Sequence, residues 1–298
     1  MKRFCIASIL FLMTVTAVFA GFDDTIDKVD KLNYKGQHQE CMDLLDTALS
    51  QANNDTEKAQ VYWRKARTIL NITDIKKDEG APDDTLIAEY QKGEEAADKA
   101  IELDPTLAEP YHWKSSNIGR AGQVKGVLNS LMKAKPMKKL LEKVIERDSE
   151  FADTYYVLGT MYRLLPGWPL SFGDVDKAVS LSRLAIDLME EELQTGERIA
   201  KGYDHYLQLA ENLYNRDWNK RKRNNKQKGK KRDYNRADSP LEKGFNYEGV
   251  VNIPSKTDQQ EAIDIVETVI RELENKSDKT PSNEKDLKKA RELLSEWQ

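Results

Sequence analysis

Ala100-Ile-Glu-Leu-Asp-Pro105 and Tyr155-Tyr-Val-Leu-Gly-Thr-Met-Tyr162 are the two stretches on which the fold of this chain turns. The first reads as the end of a helix. Its proline has no N–H to continue the hydrogen-bond ladder and stops the helix at Asp104. The second reads as the middle of a helix. Leu158 and Tyr162 share a face at four-residue spacing, and Gly159 leaves a bare spot where another helix can come close. Small residues that admit close approach, large apolar ones that fill the gap and a proline stop together describe repeated pairs of antiparallel helices.

Working outward, the same pattern recurs. Gly36 precedes His38, Cys41, Leu45 and Ala48, the order of a turn followed by the second helix of a pair. Residues 56–70 carry Ala59, Tyr62, Trp63, Ala66 and Ile69 at helical spacing, and 86–103 form the next second helix. The polar run 76–85, with Gly80 and Pro82, reads as a loop. Residues 111–118 and 138–145 make a further pair, closed by Ser149-Glu-Phe151 where Asp-Pro stood before. Residues 152–162 are followed by 173–185 as the clearest pair. These fragments resemble tetratricopeptide repeats (TPRs). The small-residue positions are Cys41, Gly93, Met137 and Ala178, spaced wider than an ideal repeat, so loops are expected between degenerate units. The expectation is an all-α, TPR-like helical-hairpin solenoid over 21–298, with about four repeats. C-terminal helices that include 262–273 and 287–297 would cover the last apolar face.

Residues 1–20 read as a secretory signal, with Lys2 and Arg3 ahead of an apolar run that ends in Val18-Phe19-Ala20. Cleavage would place the chain in the periplasm, starting at Gly21; the alternative is an uncleaved membrane anchor. A lipoprotein fits less well, because Cys5 precedes the apolar core. Cys41 would be the single cysteine left after cleavage, which excludes an intramolecular disulfide and favours a buried, inert thiol.

The net charge is −4, but residues 219–236 hold ten Lys or Arg against one Asp, so the remainder is acidic. Together with 237–256, this run reads as a basic, mobile insertion. It is either simply solvated or a contact for an anionic membrane or another acidic surface. The signal argues against nucleic acid as its partner.

Catalytic constellations are missing from the sequence. His38, His112 and His205 are isolated, and there is no phosphate loop, nucleophile elbow or thiol pair, so no enzyme activity, metal or cofactor is expected. Binding in such a scaffold comes from first-helix residues outside the packing pattern. Those are Trp63 and Arg67, His112 and Ser116, Tyr156 and Arg163, then Leu207, Glu211 and Tyr214. They suit a peptide segment or a small ligand, or are ordinary half-exposed residues. The loop 164–172, with Trp168 between Gly and Pro, either packs on its own repeat or meets a partner.

Residues 86–215 resemble TatT-type TPR proteins, the components associated with tripartite (TRAP) solute transporters. The resemblance rests on 151–162 and on Leu165-Pro-Gly-Trp-Pro-Leu-Ser-Phe-Gly-Asp-Val-Asp-Lys-Ala178, and 289–294 is similar to how that family ends. It implies a periplasmic protein that pairs with a solute-binding subunit and handles a small, apolar ligand. A general envelope scaffold that binds proteins, including a second copy of itself, is the alternative.

Overall fold

The structure is a computed structural model that describes residues 21–298. The export signal expected over 1–20 lies outside the described residues. Helix α1 (Phe22–Tyr34) pairs with α2 (His38–Gln51), and α3 (Asp55–Asp78) pairs with α4 (Asp83–Leu103). Likewise α5 (Glu109–Val124) pairs with α6 (Val127–Arg147), and α7 (Ala152–Leu164) with α8 (Val175–Thr195). After these four hairpins comes α9 (Tyr203–Arg216), then an insertion made of α10 (Lys220–Arg236), α11 (Pro240–Phe245) and a 3-10 turn, Tyr247–Gly249. The chain then returns through α12 (Asp258–Asn275) to pack on α9, and α13 (Pro281–Trp297) covers both. No strand occurs among the described residues. The architecture is an all-α, TPR-like helical-hairpin solenoid with capping helices at its C-terminal end.

The junctions show how the sequence builds it. Asp104 and Asp148 end α4 and α6 in extended conformation. Each accepts a backbone N–H two residues on, from Thr106 at 3.0 Å and Glu150 at 2.9 Å. The next helix is then tied back by a tyrosine: the Tyr111 hydroxyl donates to Pro105 O at 3.2 Å, and Tyr155 to Ser149 O at 2.8 Å. Pro105 and Ser149 thus play one part. Within hairpins, Gly36 and Gly126 turn the chain at φ 77° and 97°, where a Cβ is strained. The turn expected over 76–85 is shorter than the sequence implied, because α3 runs on to Asp78 and α4 begins at Asp83. The polar residues there form exposed helical faces.

Close approaches fall where the small residues were placed. Gly93 faces Asn117, whose amide donates to Ala66 O at 3.2 Å and Trp113 O at 2.8 Å, joining α5 to α3. Gly159 faces Ser182 and Gln208. Ala178 is fully buried, and Asn212 donates to its carbonyl. Cys41 is buried, its thiol 3.4 Å from Val29 O, and burial pushes its pKa up to about 11, so it stays protonated.

The largest departure concerns 219–256, expected to be a mobile insertion. It is instead a docked assembly of α10, α11 and the 3-10 turn. Ten basic residues do not act alike: Arg223 and Lys230 point inward and are buried, while the others lie on the exposed face. Arg223 meets Asp258 (3.1 Å) and Glu261, and Lys230 meets Asp176 (2.5 Å) and Glu248 (3.0 Å). Arg183 adds a paired contact to both oxygens of Glu261, each at 3.0 Å. With Arg216 in their midst, these are four bases against four acids from α8, α9, α10, the 3-10 turn and α12. A charge run contributes no apolar core, but two cations about two turns apart on one helix face can dock it once acids wait opposite.

Candidate functional site

The candidates occupy the first helices of successive hairpins, and the structure treats them differently. Trp63 of α3 is buried, its indole N–H donating to Gln60 at 2.9 Å and its ring covered by Arg64 and Arg67 at 4.0 and 5.2 Å. Both arginines bind Asp30 of α1, at 2.9 and 2.6 Å. Burial would raise the Asp30 carboxyl, but the two guanidinium groups outweigh it and hold the pKa below its usual value. His112 of α5 is buried against Phe151, ring centres 5.1 Å apart, with Nδ1 3.3 Å from Thr154 Oγ1. Burial lowers its pKa to about 4, so it is neutral. Ser116 lies one turn further along, half-buried.

On α7 and α9 the candidates come together. The Tyr156 ring stacks on His205 with centres 4.5 Å apart. About two helical turns later, Arg163 of α7 faces Glu211 of α9 at 3.5 Å, and Lys289 of α13 reaches the same Glu211 oxygen at 2.8 Å. Tyr214 is covered by Trp297, the rings parallel within 6° and 4.1 Å apart. Leu207 belongs to the core, fully buried. Trp168 is apart from all of these, 89% exposed on the α7–α8 loop.

Residues that sequence reasoning left out complete this strip. His205 sits between Asp204 (3.0 Å) and Asp153 (3.2 Å), and Arg198 binds Asp153 at 2.6 Å. Burial alone would lower the His205 pKa; the two carboxylates outweigh it and raise it to about 9, so the imidazole is charged. Asp286 of α13 is buried beside them, and burial together with the Asp204 charge raises its pKa to about 7. The one sequence signal here is the Asp204-His205 neighbour pair; Asp153 comes from α7, Arg198 from the connection between α8 and α9, and Asp286 from α13. The strip offers fixed rings and both signs of charge, held by rigid helices. That arrangement can orient a polar or peptide group but aligns no nucleophile with a base. Among the described residues, no three His, Cys, Asp or Glu side chains gather in a way that would hold a metal.

Residues 25–163, from α1 to the end of α7, match the family described as regulator of microtubule dynamics protein 1-3. Two crystal structures of MamA are similar in their helical arrangement. One has 17% identity and a TM-score of 0.37, covering 82% of this chain and 96% of that one; the other has 18% identity and a TM-score of 0.34, covering 87% and 98%. No curated protein sequence matches.

Proposed function

We propose that this chain is a non-enzymatic interaction scaffold that holds a protein segment against the α7–α9 strip. The observation that carries this is the alignment of the Tyr156–His205 stack and the Arg163–Glu211 pair on two adjacent first helices. Tyr156, Arg163 and Glu211 stay partly open, while His205 is buried beneath them. A preorganised row of rings and charges binds without the cost of ordering itself. The test is quantitative affinity capture with the wild type, Tyr156→Ala and Glu211→Ala in parallel. A protein recovered by the wild type and lost with both variants, at unchanged helicity, supports the reading. Recovery that is the same for all three removes the strip as the binding surface.

Within this reading, the partner is the solute-binding subunit of a TRAP-type uptake system, and the chain is exported to the periplasm. The support is the TatT-type resemblance over 86–215 and the signal-like character of residues 1–20. Mass spectrometry of the native protein should show a chain that starts at Gly21. Calorimetric titration with such a subunit should give saturable binding. A chain retaining residues 1–20 in the cytoplasm would leave the general scaffold alone standing.

A further inference from the structure

Six of the large apolar residues that stand out into solvent belong to two neighbouring places. Val127, Leu128 and Met132 are on the first turns of α6, and Leu164, Trp168 and Leu170 are at the end of α7 and on the loop after it. All are between 60% and 89% exposed. The two places share one edge of the solenoid, because α6 begins where α7 ends. Ala134 and Met137 of α6 share a core cluster with Met161, Leu165 and Phe172, and the Lys138 ammonium lies 5.7 Å from the Phe172 ring. The apolar side chains therefore rise from a common footing.

The charge of this edge is one-sided. Residues 110–141 contain seven Lys or Arg and no Asp or Glu, and residues 164–173 contain no charge at all, in a chain whose net charge is −4. Lys114, Arg120 and Lys138 are matched by Asp98, Asp74 and Glu142. Lys125, Lys133, Lys135 and Lys139 are exposed and form no ion pair among the described residues. Helix α10 belongs to the same edge, since Lys230 reaches Asp176 at the start of α8, directly after the Trp168 loop. Its outward bases extend the positive field.

We propose that this edge docks on an anionic lipid bilayer, with Trp168 and Leu170 entering the headgroup region beside Val127, Leu128 and Met132. Lys125, Lys133 and Lys135 would meet the phosphates. Side chains this exposed stand clear of the surface and line no groove, so the shape asks for a soft partner that closes around them. Tryptophan and aliphatic tips with lysines at their base match the layered chemistry of the membrane interface, where apolar groups sink and long cationic chains reach back to the headgroups. An acid-free stretch in an acidic protein gives an anionic surface one orientation in which to attract it. This assignment uses none of the α7–α9 strip residues and stands apart from the partner-segment reading.

The test is co-sedimentation of the full chain with vesicles of phosphatidylcholine alone and of phosphatidylcholine mixed with phosphatidylglycerol. Binding to the mixed vesicles and not to the neutral ones is expected. Lys133→Gln and Lys135→Gln should each weaken it roughly fivefold, and Trp168→Ala with Leu170→Ser should weaken it further. The bound wild type should show quenching by bromine-labelled lipid that Trp168→Phe largely loses. All these positions are exposed, so thermal melting should be unchanged. Equal binding to both vesicle types, or binding untouched by the Trp168 and lysine variants, overturns the proposal. So does a concentration-dependent dimer that Trp168→Ala disperses, which would make a second copy the cover.

Discussion

Arg216 and Asp258 meet through two parallel hydrogen bonds, Nε to Oδ2 at 2.7 Å and Nη2 to Oδ1 at 2.9 Å, with both side chains fully buried. Arg216 ends α9 and Asp258 begins α12, so this fork closes the hairpin that the insertion splits. Asp258 also accepts the Trp218 N–H at 2.9 Å, and Arg216 turns its other edge to Glu248 at 2.6 and 2.9 Å. Removing one partner leaves an uncompensated buried charge. Asp258→Ala should therefore cost about 3–5 kcal/mol. Arg216→Met with Asp258→Leu should cost less than the sum of the singles, measured by urea unfolding.

Glu248 gives that network a pH signature. Burial would raise its pKa, but hydrogen bonds from Arg216 and the charges of Lys230 and Arg183 win, holding the carboxyl well below 4.5. A depressed carboxylate stabilises the fold above its unfolded value, and that contribution is lost as pH falls. The melting temperature should thus drop progressively below about pH 4.5. Glu248→Gln should lower it at neutral pH and flatten the acid limb. An acid limb identical in the variant would assign the loss to other carboxylates.

Deleting 219–236 now has a definite outcome. Without Arg223 and Lys230, the acids Glu248, Glu261 and Asp258 keep two of their four cations, in a buried site. The deletion should lower the melting temperature substantially, whereas Lys226→Gln and Lys228→Gln on the outer face should not. A deletion that melts like the wild type would mean the docking of α10 contributes nothing to stability.

What the sequence made legible follows from what is local. Helix ends are set by neighbours, so Asp104-Pro105 and Gly36 could be read directly, as could the small-residue positions Gly93, Gly159 and Ala178. The basic run could not. The residues that fix α10 are Asp176, Glu248, Asp258 and Glu261, spread over three other elements, and no spacing rule links them to Arg223 and Lys230. The same holds for the strip. Tyr156, Arg163 and Glu211 follow from repeat register, but the charge on His205 rests on its neighbour Asp204 together with Asp153, which another helix supplies. The turn between α3 and α4 is shorter than the polar run 76–85, because polar composition marks solvent exposure as much as loop.

The glycines provide a graded test of the packing. An added Cβ at Gly93 would sit 2.1 Å from Asn117 Oδ1, and Asn117 cannot move without losing its bonds to Ala66 and Trp113. At Gly159 the nearest atoms are 3.0 Å away, on Gln208 and Ser182, and at Gly119 the obstacle is the flexible end of Met137. Alanine should therefore destabilise most at 93, less at 159 and least at 119. Gly159→Leu should cost roughly 1–3 kcal/mol by overpacking. Equal melting temperatures across the series would show that these helix pairs do not depend on their close approaches.

Asp286 should be a site where a substitution stabilises. Its side chain is 8% exposed, and burial with the Asp204 charge outweighs the attraction of Lys289, His205 and Lys285, raising its pKa from 3.8 to about 7. The sign is the reverse of Glu248. Between those two values the folded protein keeps a proton that the unfolded chain has released, so stability falls as pH rises, and above 7 the full penalty remains. Asp286→Asn removes the charge at nearly the same shape. It should leave melting at pH 3.5 unchanged and raise stability at pH 8 by roughly 1–3 kcal/mol. A variant less stable than the wild type at pH 8 would show that Lys285 and Lys289 hold Asp286 as a carboxylate, and that α13 is secured by its ion pairs.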